Sequence, residues 1–351
     1  MNNFEALKQY MIPTSNLNNM LEVYKNIGQN KYLEEELGDQ LNYLFEQGLE
    51  RDTFFLASLT NINLSENRMR LLITKNSHPV NSEEKRLVEI KEVLRLIRKE
   101  AKDHTFNGSD ILQYLNRIFG KNSHKFTPRN FGDLTGDKKA HKTMSIRLSF
   151  EKMLEEYHLH FNKNTFEKLY LSITAYLEMD LMKPYTDHND IASLLALYYM
   201  LFRTGVDSFK YISFFELYLN EKENWESEKK LSYINFPTSH LRQNGLTNIL
   251  FEIIKRSYEA LKDIIKTNKF DKRMFKGDGI EQTILIMPST FSKEDIRKYH
   301  PNVSDSTINR ALFKLRDENI IAPLGKGRSA RWVKLISDDD PRKIFGVDYE
   351  K

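Results

Sequence analysis

Cysteine is absent from the 351 residues. Disulfides, thiol nucleophiles, iron–sulfur clusters and thiolate zinc sites are excluded with it. Glycine and proline are sparse, at 14 and 9, as in a chain that is mostly helix. No apolar run approaches the roughly 18 residues that a spanning helix needs, so no membrane partner is expected. The opening Met-Asn-Asn-Phe-Glu-Ala-Leu-Lys lacks a basic stretch followed by an apolar one. No secretion signal is expected, and a cytoplasmic location is the default. His-Glu-x-x-His, Walker and Gly-x-Ser-x-Gly patterns are missing too. His158 and His160 stand two apart, which puts them on different faces of a helix and makes them poor joint metal ligands.

What is present is a globular composition, with 40% hydrophobic and 12% aromatic residues. At about 100–200 residues per domain, this length predicts two or three domains. Apolar residues recur at helical spacing through most of the chain. Leu87, Ile90, Leu94 and Ile97 fall on one face, and Phe150, Met153, Leu154 and Tyr157 repeat the pattern. Further helices are expected over Thr165–Met179, over Asp190–Thr204 with Gly205 as its cap, and over Leu246–Lys266. Leu17, Met20, Leu21 and Tyr24 give the first fifty residues an amphipathic face that could pack on the body. Residues 120–143 read as a long loop or short hairpin, and residues 267–279 as a polar linker.

Beyond the linker the pattern changes to helix, helix, helix, hairpin. Residues 289–336 carry ten basic and five acidic side chains, a surplus of five against a net charge of +4 for the whole chain. Ser292 caps one expected helix. Ser304 caps the next, whose inner face is Ile308, Ala311, Leu312 and Leu315. Ile320 and Ile321 lead into a strand, residues 325–328 form a tip, and Arg331–Leu335 returns. The segment 280–336 resembles a winged helix-turn-helix. Such modules place the N-terminal residues of their second motif helix at base edges. The resemblance thus implies DNA contacts from Ser306, Thr307, Asn309 and Arg310, and phosphate contacts from Lys326, Arg328 and Arg331 on the wing. Winged helices also dock proteins, so a protein partner and a homodimer stay open.

The segment Lys183-Pro184-Tyr185-Thr186-Asp187-His188-Asn189-Asp190-Ile191, between two apolar helices, resembles the active-site loop of the Fic family of nucleotidyl transferases. The family pattern there is His-Pro-Phe-x-Asp-Gly-Asn-Gly-Arg. Phe202-Arg-Thr-Gly205, Tyr211–Glu216 and Lys222–Trp225 are similar to the elements that follow in the family. Residues 126–136 are similar to the stretch before its substrate-docking flap. Asn63–Asn67 is similar to its inhibitory helix. The implied fold class is mainly α: an N-terminal helical region (1–80), a Fic-like helical domain (81–266), the linker, a small α+β winged helix (280–336) and a tail (337–351).

The departures from the pattern bear directly on activity. The family's general base, a histidine, is replaced by Lys183, a poor base at neutral pH unless burial lowers its pKa from the usual value near 10.4. Glycines that let backbone N–H groups wrap a phosphate are His188 and Asp190. The two arginine positions hold Ile191 and Leu194. Asp187, the family's magnesium-holding acid, and Asn189 remain, together with Pro184 and the aromatic Tyr185. The expected protein is therefore a catalytically degenerate, Fic-like pseudoenzyme that needs no cofactor or metal and acts through its winged helix. A divergent transferase of AMP or another phosphate-linked group, using ATP and magnesium, is the alternative. For Glu66 no arginine partner is evident, so it reads as an ordinary acid at a helix N-terminus.

Overall fold

A computed structural model describes residues 3–9, 11–75, 77–130, 145–234, 240–274, 279–300, 303–325 and 331–335. The chain forms two compact units, residues 1–263 and 264–351. The first is helical. It runs through α1 (Thr14–Ile27), α2 (Asn30–Leu37), α3 (Leu41–Leu59), α4 (Glu66–Lys75), α5 (Ser82–Glu100) and α6 (Gly108–Phe119). It continues with α7 (Ile146–Lys163), α8 (Lys168–Met182), α9 (Asn189–Thr204), α10 (Phe214–Asn220), α11 (Lys222–Ser232) and the first part of α12 (Asn244–Met274), whose last residues count with the second unit.

The helix ends follow from local chemistry. The Asn81 side chain accepts from the backbone of Glu84 at the start of α5, and Asn107 and Asp110 cap each other's backbone at the start of α6. Each satisfies donors that a helix start leaves open. Gly205, at φ 97°, ends α9 in the left-handed region, where a residue without Cβ costs least. Every side chain of α9 except Asn189, Asp190 and Arg203 is buried, so it is the central helix of the unit. It packs along α8. The expected faces Leu87/Ile90/Leu94/Ile97 and Phe150/Met153/Leu154/Tyr157 are all buried.

One buried polar cluster ties four segments together. The Asp52 carboxylate on α3 accepts from Arg98 Nη2 of α5 and from the Tyr198 hydroxyl of α9, each at 2.7 Å. Its other oxygen accepts from Ser213 Oγ at 2.6 Å and from the backbone N–H of Phe215 at 3.1 Å. Arg98 also donates to the carbonyls of Phe45 and Lys210. The Asp52 and Arg98 side chains are fully shielded from solvent. At the same place α3 crosses the 207–211 turn so closely that a Cβ on Gly48 would lie 2.8 Å from the Lys210 carbonyl oxygen.

Two expectations are corrected. α1 turns Asn16, Val23 and Asn26 inward, while Leu17 and Leu21 are exposed. Asn16 Nδ2 donates to the Tyr170 hydroxyl at 2.9 Å and to the Asn244 carbonyl at 2.8 Å. Hydrogen bonding, not the apolar pattern, chose the face. Of the four residues in that pattern, Tyr24 reaches a partner in the body, donating to Glu167 Oε1 at 2.5 Å. Residues 267–274, read as linker, extend α12 to Met274. That stretch holds no proline or glycine to break a helix. Residues 275–278 lie outside the described residues.

The second unit contains α13 (Gly279–Ile286), β1 (Thr290–Ser292), α14 (Lys293–Tyr299), α15 (Asp305–Asp317), β2 (Ile321–Pro323) and β3 (Arg331–Lys334). The strands form an antiparallel sheet in the order β1-β3-β2, with Phe291 opposite Trp332 and Ala322 opposite Val333. Its core joins Ile284, Phe291, Ile296, Ile308, Leu312, Leu315, Ile321 and Trp332. The expected inner face of α15 and both serine caps are in place. Strand β1 was not expected, because three residues are too short to show alternation and Ser292 serves both the strand and the cap. Among the described residues no helix is long and apolar enough to cross a membrane.

Asp52→Ala leaves the Arg98 guanidinium buried without its carboxylate. It should lower stability by about 3–5 kcal/mol, read as an earlier urea midpoint. His158 supplies a pH dependence. Its Nδ1 accepts from Arg203, and its Nε2 lies 2.7 Å from the Phe106 carbonyl. Burial holds the imidazole neutral and pushes its pKa down to about 4. The lowered value favours folding above the ordinary value near 6.5, and this contribution is lost as pH falls through 4. His158→Gln should flatten the dependence of the denaturation midpoint on pH between 6.5 and 4.

Candidate functional site

The loop between α8 and α9 is held by backbone first. Residues 125–127 run antiparallel to residues 184–186. Thr127 N–H donates to the Pro184 carbonyl at 2.8 Å, and Thr186 N–H to the Lys125 carbonyl at 3.0 Å. Arg129 donates to the carbonyls of Met182 and Lys183, supplying donors where the end of α8 leaves acceptors open. Tyr185 is buried and its hydroxyl donates to the Gly108 carbonyl at 2.7 Å. Burial holds that phenol well above its ordinary pKa. A Cβ at Gly108 would sit 2.9 Å from the Phe150 ring, so α6 starts where only glycine fits.

Asn189 closes the loop. Its Nδ2 donates to the Tyr185 carbonyl and its Oδ1 accepts from the Tyr185 N–H, both at 2.9 Å. Asp187 is exposed, and its Oδ1 accepts from the backbone N–H of His188 at 2.8 Å. His188 adopts φ 51° and Lys183 φ 48°, both left-handed positions that suit glycine and carry a cost of about 1–2 kcal/mol for other residues. Lys183 is exposed and has no side-chain partner among the described residues.

His188 compensates for its backbone by packing. Its ring stacks on Phe119 with centroids 3.8 Å apart. Its Nδ1 lies 2.8 Å from His124 Nε2, a distance at which the two rings share one proton. His124 is buried. Asn116 Oδ1 accepts from its backbone at 2.8 Å, and its Nδ1 lies 2.7 Å from Ser123 Oγ. Burial, with the neighbouring His188, keeps its imidazole below the ordinary pKa. Phe119, His124 and Arg129 were not singled out as loop-holding residues from the sequence. A histidine in a polar stretch carries no periodic signal, and its partner lies 64 positions away.

Around the start of α9, Asp190 is exposed, whereas Ile191 and Leu194 are 1% and 3% exposed. The structure therefore gathers Asp187 and Asn189 on one turn and leaves Lys183 unpaired. Among the described residues, no three His, Asp or Glu side chains are placed to hold a metal ion. Glu66 does have an arginine: it pairs with Arg70 on its own helix at 3.4 Å, with both side chains 70% exposed.

In the second unit Ser304 Oγ lies 2.7 Å from Ser306 Oγ and 2.9 Å from Thr307 Oγ1, so both hydroxyls are engaged in the cap of α15. Asn309 is half-buried, and its Oδ1 has no partner. Much of the basic surplus is paired within the unit. Arg297 pairs with Asp305. Lys298, Lys314 and Arg316 pair with Asp295, Glu281 and Asp317, each at 2.7 Å. Lys298 and Ser292 hold the Asp295 carboxyl down to about 2. Lys293, Arg310 and Arg331 have no ion-pair partner among the described residues. Lys326 and Arg328 lie outside them.

No known family profile matches this sequence, and no curated protein does. Solved structures do. A Fic family protein from Desulfovibrio desulfuricans G20 aligns at a TM-score of 0.53 and 12% identity, over 94% of this chain and 99% of its own. A Fic-domain-containing signaling protein from Bacteroides thetaiotaomicron VPI-5482 aligns at 0.53 and 16% identity, over 71% of this chain and 98% of its own. A fragment of Fic-1 from C. elegans aligns at 0.52 and 14% identity, over 70% of this chain and 71% of its own. These likenesses establish the fold. The chain is mainly helical and Fic-like, with a small winged-helix-like part at its C-terminal side.

Lys183→Gly removes the left-handed penalty without removing a side-chain contact. It should stabilise the body by about 0.5–1 kcal/mol after the entropy gained by the unfolded glycine is subtracted. Thermal unfolding checks this, and a destabilised variant would show that the Lys183 side chain holds the loop.

Proposed function

We propose that this protein is a Fic-fold pseudoenzyme that acts by binding DNA through its winged helix, with the body as a regulatory or dimerising scaffold. The observation that carries the loss of catalysis is the start of α9. Ile191 and Leu194, where the family resemblance calls for arginines, are buried apolar side chains, and the helix begins with an exposed Asp190. A carboxylate there repels phosphate, and aliphatic carbons donate nothing to it. The Asp187 carboxylate accepts from its own loop, and the His188 ring stands where a glycine would leave room. The residues present do not fit ATP with magnesium. A missing charge-stabilising donor alone costs about a hundredfold or more in rate.

DNA contact is supported by the unpaired cations of the second unit. Arg310 is on the outer face of α15, and Arg331 is at the edge of the wing. Because most other basic residues are paired locally, the electrostatic footprint is small. Three free cations, with Lys326 and Arg328 added, give a plot of log affinity against log salt with a slope of about −3 to −5. Fluorescence anisotropy with labelled duplex DNA measures this, and Arg310→Ala should weaken specific binding by about 1–3 kcal/mol. Absence of salt-dependent binding at low salt would count decisively against the reading.

A divergent transferase is the second reading. It is favoured by the intact loop frame, in which Asn189 closes on Tyr185 and leaves Lys183 and Asp187 open to solvent. Titration calorimetry with ATP, GTP, CTP and UTP, each with and without magnesium, separates the two. The pseudoenzyme gives no magnesium-dependent heat. Micromolar binding, with a labelled product lost in Lys183→Ala, would establish the transferase instead.

A further inference from the structure

We infer that α15 reads a guanine next to a thymine in the major groove, with Arg310 on the guanine edge and Phe313 on the thymine methyl. This rests on the DNA-binding reading above and adds to it a base pair and the residue that selects it. Ser306, Asn309, Arg310, Phe313 and Asp317 share one open face along the outer side of α15. In that row Arg310 is the cation without a partner. Lys314 and Arg316, further along the helix, are held by Glu281 and Asp317.

Phe313 is the anomaly on this face. Phe291 and Trp332 are 1% and 5% exposed and fill the core of the unit, and Tyr299, at the end of α14, is 65% exposed with a hydroxyl to offer water, while Phe313 is 48% exposed without one. One side of its ring is covered by the Arg316 guanidinium, 4.9 Å from the ring centroid. The rest offers an apolar surface among polar groups. Arg310 and Phe313 are three residues apart, which separates them by about 4.5 Å along the helix axis. Base pairs stack at about 3.4 Å, so the two side chains face neighbouring pairs.

The chemistry of the groove floor then chooses the bases. A guanidinium matches the paired acceptors O6 and N7 of guanine. The thymine methyl is the apolar group that a base pair presents in the major groove. Cytosine carries only hydrogen at that carbon and offers the ring less apolar surface. Asp317 and Glu318, also beside that face, carry negative charge at the C-terminal end of the helix. They disfavour phosphates at that end, so the contact is made by the part of the helix ahead of them, which carries Arg310 at its middle and Phe313 one turn before Asp317.

The test uses the full chain. Binding sites are selected from random duplexes of about twenty base pairs, two helical turns. The selected duplex is then made with thymine or with deoxyuridine, which lacks only the methyl. The wild-type chain should bind the deoxyuridine duplex about fourfold more weakly, the worth of one buried methyl. Phe313→Ala, an exposed helix position that tolerates alanine, should bind both duplexes equally. Equal binding of the two duplexes by the wild-type chain overturns the assignment while leaving DNA binding in place. So does discrimination that survives in Phe313→Ala. Failure to bind any duplex removes the DNA reading itself. A self-association lost in Phe313→Ala, with DNA selection unchanged, would assign the face to a protein contact instead.

Discussion

Four hydrogen bonds converge on the Asp52 carboxylate, and the body is arranged around them. They come from α5, from α9 and from the start of α10. A charge so deeply shielded is tolerable only when it is fully paired and bonded. The same requirement that makes the cluster costly to assemble makes it intolerant of small shifts. α9 cannot rotate about its axis without drawing the Tyr198 hydroxyl off Asp52. The turn at 207–211 cannot withdraw without stripping a carbonyl from Arg98. The loop ahead of α9 inherits this rigidity, because its last residue, Asn189, is the first of that helix.

The loop between α8 and α9 divides into positions that hold the backbone and positions that face outward or pack locally. Asn189 and Tyr185 bond to each other's neighbourhood through main chain and buried hydroxyl, so they serve the fold whatever the loop does. The other positions of the loop are each satisfied locally. Ile191 and Leu194 add apolar area to the core. His188 trades a strained backbone for a stack on Phe119 and a bond to His124. Asp187 turns to its own chain. Each of these contacts stabilises the loop as it stands.

How much of this the sequence disclosed depends on range. The inner faces of α5, α7 and α15 repeat within a few residues, and periodicity located them correctly. The serine caps at 292 and 304 are equally local. The loop at 183–189 was legible through its likeness to a family pattern and not through any spacing of its own. By contrast, Asp52, Arg98, Tyr198 and Ser213 are scattered over more than 160 positions, and nothing local marks an aspartate destined for burial. His124 and Phe119 were hidden for the same reason. Charge counting misjudged the second unit from the other side. A surplus of five says nothing about which cations are already held by Asp295, Asp305, Asp317 and Glu281.

The attachment of α1 carries a thermodynamic signature of its own. The helix meets the body largely through carboxamides: Asn16 on Tyr170 and Asn244, Asn19 on Asn248 and Glu252, Asn26 on Lys262. Leu17 and Leu21 face outward already, while Val23 is buried and Tyr24 half-buried. Detaching α1 would hydrate these carboxamides together with Val23 and the Tyr24 ring, polar and apolar contributions to the heat capacity that partly cancel, unlike the large positive change of a hydrophobic core. Its grip should therefore hold nearly constant on cooling, while the apolar packing around α9 loses strength toward low temperature. The two parts of one domain thus answer to temperature by different rules.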